Sequence, residues 1–146
     1  MIGDLIGLYK RDLEKFAAEL EAYRDDGSIW KLAGEIKNPA GNLAMHVVGN
    51  LNYYVGALLG GTRYVRNRPA EFETREGSRA DLAKQLRETG VMIERVLGGF
   101  SREQLEAPFP QPIEEYPSSN QGFLMHLYGH LNWHLGQVNY HRRLVV

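Results

Sequence analysis

The stretch MHLYGHLNWHLGQ, residues 125–137, holds three of the chain's five histidines: His126, His130 and His134. They recur every four residues. In a helix rising about 1.5 Å and turning about 100° per residue, such neighbours stand about 6 Å apart along the axis and about 40° apart around it. The three imidazoles therefore share one side. His126 and His134 are about 12 Å apart by the same arithmetic and make poor joint ligands. His126 with His130, or His130 with His134, can converge on one metal ion at about 2 Å each.

The helix bearing this stripe carries no charge over most of its length. From Ser118 to His141 there is no Asp, Glu, Lys or Arg, and the same holds from Asn38 to Thr62. Two other segments are charged throughout. Residues 2 to 24 place Ile2, Leu5, Ile6, Leu13, Phe16, Ala17 and Leu20 at helical spacing, and Asp25-Asp26-Gly27-Ser28 ends that run. Asn38-Pro39 opens a second helix that Gly60-Gly61 stops. Ser78, with Asp81 three residues on, opens a third that ends near Gly98-Gly99. Ser101-Arg102-Glu103-Gln104 marks one short extra turn, and the fourth helix starts near Asn120, with Arg142 and Arg143 at its negative end. Strands are poorly supported. The expectation is an all-α four-helix bundle, a single domain over residues 1–146. Its connections run to roughly a dozen residues or more, long enough to cross over the bundle.

Composition removes several function classes. A net charge of −1 offers nothing to nucleic acid or to an anionic membrane. With no cysteine there is no disulfide, no thiolate zinc site and no cysteine nucleophile. Asp4 and Lys10 interrupt the apolar run MIGDLIGLYKRDLEKF, which is therefore not a signal peptide, and a cytoplasmic location is expected. The uncharged helices hold Asn, His and Gln, which are costly in hydrocarbon, so neither is a membrane span. A helix without a charged face needs cover on two sides. The sequence predicts a homodimer packed through the second and fourth helices, with Leu51, Tyr54, Leu58, Tyr128, Trp133 and Leu135 as candidates for the outward faces.

A catalytic metal needs a third protein ligand. The second helix has one histidine, His46, in the middle of GNLAMHVVGNLNYY, residues 41–54, while His141 lies at the far end of the fourth helix. If the two uncharged helices are parallel, His46 is level with His126 and His130. If antiparallel, it is level with His130 and His134. Periodicity does not choose.

The ending His130-Leu-Asn-Trp-His134-Leu-Gly-Gln137 resembles the HxxxH-x-GQ signature of the DinB/YfiT-like metalloenzyme superfamily. Gly41-Asn42-Leu43 and His46-Val-Val-Gly-Asn50-Leu resemble the second helix of its members. The specific likeness covers about thirty residues in two blocks. The resemblance implies a dimerising four-helix bundle in which His46, His130 and His134 bind a divalent metal. His126 then falls outside the ligand set, and depth along the helices makes the second and fourth antiparallel, in an up-down-down-up order. Asn50 and Gln137 are expected to support the ligands, with His126 beside them or lining a substrate pocket.

Three neutral imidazoles suit zinc, nickel or iron, and leave positions open where an ion acidifies water or a thiol. HLNWH has the histidine spacing of a zinc-protease HExxH but lacks its glutamate, which excludes that class. No carboxylate lies on either histidine helix. Glu71, Glu73, Glu114 and Glu115 fall on connections and read as solvated charges, and Tyr53 and Tyr54 read as packing residues. Catalytic residues are not identified. The lack of an evident base favours chemistry in which the metal does the activation. Similarity to the superfamily implies a metal-dependent transferase acting with a low-molecular-weight thiol. The alternative is a metal-bound dimeric stress or binding protein without turnover.

Overall fold

A computed structural model describes residues 1–111, 113–116 and 119–146. Its helices are α1 (Ile2–Glu21), α2 (Ala40–Leu51), α3 (Arg68–Glu73), α4 (Arg79–Leu97), α5 (Arg102–Glu106) and α6 (Asn120–Leu144). A single 3₁₀ turn spans Ser28–Trp30, and α2 runs on as a wider π-helical stretch, Asn52–Leu59. The charged helices α1 and α4 behave as amphipathic helices should. Tyr9, Leu13, Phe16, Ala17 and Leu20 of α1 are buried against Leu82, Leu86, Ile93 and Leu97 of α4. Ser78 caps α4 by accepting from the Asp81 amide, and Ser101 and Gln104 form a full capping box on α5. At α2 the cap differs from the sequence reading by one residue. Pro39, with extended backbone, is the residue before the first turn, and Asn38 makes no capping bond.

Cross-helix contacts give the directions. Lys10 pairs with Glu94, and Arg87 pairs with both Glu14 and Glu21, so α1 and α4 are antiparallel. Tyr9 donates to the Leu124 carbonyl and Arg142 pairs with Glu19, so α1 and α6 are parallel. Tyr54 meets Phe123 while His46 meets His130 and His134, so α2 and α6 are antiparallel. The order is up-down-down-up for α1, α2, α4 and α6.

The cover over α2 comes from its own chain. Between Ala40 and Leu51 only Met45 is not buried. Helices α3, α4 and α6 pack around it, and the Trp30 ring lies flat on Gly41. The sequence expected a second subunit here, and treated the α2–α4 connection as open loop. Instead that connection contains α3, started by Asn67, whose side chain accepts from the Ala70 amide, with Pro69 in the first turn. The expected outward residues are corrected accordingly. Leu51 is core, Tyr54 packs on Phe109 and Phe123, and Leu58 and Leu135 are partly buried against the core. Tyr128 turns toward Asp12 of α1, and Trp133 alone of the six stands exposed. Among the described residues, no helix is long and apolar enough to cross a membrane.

Candidate metal centre

The antiparallel α2 and α6 bring three histidines together. His46 is buried in α2, and His130 and His134 are half-buried on α6. The Nε2 atom of His130 is 3.1 Å from Nε2 of His46 and 3.1 Å from Nε2 of His134. One ligand atom from each ring lies within 4.8 Å of the others. Two nitrogens bound tetrahedrally at about 2.0–2.1 Å would be about 3.3 Å apart, so the spacing fits a shared ion.

The outer nitrogens decide which way the lone pairs face. His46 Nδ1 is 2.9 Å from Glu71 Oε1, and His134 Nδ1 is 2.7 Å from Gln137 Oε1. An ionised carboxylate and an amide oxygen only accept, so in the neutral form of either ring Nδ1 carries the proton; at His46 the carboxylate at 2.9 Å outweighs the Arg66 Nη2 group 3.4 Å from the same Nδ1. Each Nε2 then presents a lone pair to His130. His130 has one N–H to offer and two acceptors facing it. A divalent cation would satisfy all three nitrogens at once. Burial, and then the nearby His134 and His46, push His130 down to about 3. Burial also lowers His134, against the opposing hydrogen bond to Gln137. Both rings are thus neutral near pH 7, the form a metal requires.

The remaining site residues fall around this trio. His126 is outside it. Its ring packs at a tilt against Tyr116, centroids 4.1 Å apart, and near Phe123, and burial lowers its pKa. Asn50, one helical turn beyond His46, is buried, and its Oδ1 has no hydrogen-bond partner among the described residues. Such an orphaned acceptor suits a site that takes up a further polar group. Tyr53 bonds to Gln111.

Glu71 is the residue the sequence reading misplaced. Rather than a solvated loop charge, it is 4% exposed and bonded to His46. Burial raises its pKa, but hydrogen bonds from His46 and Arg66, and the Arg66 charge, hold it below the usual carboxylate range. The Asn67-Arg68-Pro69 start of α3, four residues ahead, was the signal available for it.

Residues 9–138 match the model of the DinB superfamily. The chain belongs to the DinB superfamily. No curated protein matches it. Among solved structures, a conserved protein from Enterococcus faecalis is similar at a TM-score of 0.81 and 16% identity, over 99% of this chain and 96% of that one. At that identity the likeness speaks for the fold. In this DinB-superfamily chain the uncharged helices are the ones that carry the histidine cluster, His46 on α2 and His130 and His134 on α6.

Proposed function

We propose that this chain binds one divalent ion, zinc, nickel or iron, through His46, His130 and His134, and uses it as a metal-dependent transferase acting with a low-molecular-weight thiol. The observation that carries the metal reading is that His130 Nε2 lies 3.1 Å from the Nε2 atoms of both His46 and His134, while the outer Nδ1 atoms of those two rings face Glu71 and Gln137. A bound ion would supply Lewis acidity to a thiol in its open position. The chain's part is to fix the rings, through Glu71 at His46 and Gln137 at His134, and to keep His130 and His134 neutral by burial. Transfer to a thiol rests on likeness to superfamily members and on the neutral donor set.

Assembly belongs to the same proposal. On α6, Met125, Trp133, Tyr140 and Leu144 are 61%, 69%, 69% and 62% exposed, enough to form an apolar strip along an uncharged helix. Exposed Gly129 and Gly136 flank Trp133 and allow close approach. A second copy, meeting this one through α6, covers the strip. Helix α2 takes no part, because its own chain covers it.

Elemental analysis of protein purified without added metal or histidine tag tests the metal reading. About one ion per chain supports it. For the transfer step, metal-loaded protein is assayed for loss of free thiol with electrophiles. Stoichiometric metal without any such turnover favours the non-catalytic binding protein.

A further inference from the structure

Behind His46 lies a buried ion pair that metal binding alone does not require. Arg66 grips Glu71 with two parallel bonds, Nε to Oε2 and Nη2 to Oε1, each 2.9 Å. Both side chains are largely removed from solvent, at 12% and 5% exposed. Burying a carboxylate and a guanidinium is expensive and often adds no net stability. Here the carboxylate points its Oε1 at His46 Nδ1. Room for it is cut into α2 itself. A Cβ at Gly49 would stand 1.9 Å from Glu71 Oε2, so any side chain at that position expels the carboxylate. Helix α3 is in turn clamped to α2. The Asn42 amide donates to the Glu71 and Thr74 carbonyls at 2.9 and 2.7 Å, and Arg75 holds the Asn42 oxygen at 2.8 Å. Phe72 packs against the His46 ring at 4.8 Å.

We propose that Glu71 is a positioning residue of the metal centre, seated by Arg66 in the slot left by Gly49, which fixes the tautomer and ring angle of His46. The inference rests on the metal reading above and extends the centre to a third element, α3. A ligating imidazole whose other nitrogen is held by a carboxylate gains basicity and loses rotational freedom, an effect of about 10–100-fold in affinity. Asn42 and Arg75 act at one remove, by holding the backbone of α3.

The test compares wild type with Glu71→Ala, Glu71→Gln and Gly49→Ala in the full chain. Two readouts are taken: zinc affinity by chelator competition, and the His46 tautomer in metal-free protein by ¹⁵N-detected imidazole NMR. Wild type is expected to show the Nδ1–H tautomer. Glu71→Ala is expected to mix the tautomers and weaken zinc about 10–100-fold. Glu71→Gln keeps an acceptor and is expected to restore the tautomer and part of the affinity. Gly49→Ala leaves both His46 and Glu71 chemically intact and is expected to follow Glu71→Ala, which separates positioning from the loss of a charge. Zinc affinity and tautomer unchanged in Glu71→Ala overturn the proposal while the metal site stands. Wild type that binds no zinc overturns the metal reading, and the positioning role with it.

Discussion

The Nε2 atoms of His46 and His130 lie 3.1 Å apart although 84 positions separate them in the chain. Only antiparallel α2 and α6 put these two level with His134, and they leave His126 beside Tyr116 instead. Single substitutions should separate the two histidines flanking His130. His134→Ala is expected to weaken zinc by more than about 100-fold, beyond what a supporting residue costs. His126→Ala is expected to stay within about tenfold of wild type. Isothermal titration of both variants decides, and equal losses would mean that His126 is the ligand.

Metal-free protein should lose stability in mild acid. His130 is held down to about 3, against 6.5 for a free imidazole, first by burial and then by His134 and His46. His134 and His126 shift the same way. The unfolded chain therefore takes up these protons first. Their contribution is complete above pH 6.5 and is lost as pH falls toward the folded values. Glu71 and Asp12 are held below 4.5 and 3.8, so their losses come at lower pH. Thermal melts under chelator should show the midpoint falling from pH 7 to pH 5. Replacing His130 with Asn should flatten that slope. A midpoint constant over this range contradicts neutral burial of His130 and His134.

Asp12 joins α1 to α6. Its carboxylate is 1% exposed and accepts from Tyr128, Asn132 and Arg11. Asp12→Ala removes the acceptor for two α6 side chains and is expected to cost about 1–3 kcal/mol in urea unfolding. Tyr128→Phe removes one donor and is expected to cost about 1 kcal/mol. Equal stability of all three proteins would mean that water replaces the network at no cost.

The main helices were legible because each depends on neighbours in sequence. Apolar spacing marks α1 and α4, missing charge marks α2 and α6, and Ser78 and Ser101 mark their own caps. The histidine pairs followed from helical spacing, and likeness to the superfamily chose among them. What stayed hidden depends on partners far along the chain. Glu71 reads as a loop charge until α3 folds it back 25 positions onto His46. Gly49 reads as a weak helix residue until the carboxylate needs its space. The cover of α2 was misassigned for the same reason, since a six-residue helix between long connections leaves little periodicity to read.

The exposed strip on α6 sets an expectation for assembly. Light scattering at micromolar concentration should give twice the chain mass of 16.6 kDa. Trp133→Glu places a charge in the middle of the strip and should return the protein to single-chain mass without loss of helicity. Metal removal should weaken each subunit more than it separates them, since all three histidines come from one chain. A single-chain mass for wild type at high concentration would mean that Trp133, Met125 and Tyr140 stay bare.

The most direct measurement is a zinc titration of the double variant His130→Ala, His134→Ala beside wild type, with bound metal quantified after desalting. Wild type should retain about one ion per chain, and the double variant none, with its helical circular dichroism largely intact. Full occupancy in the double variant would show that the metal sits elsewhere and that the three converging imidazoles are not its ligands.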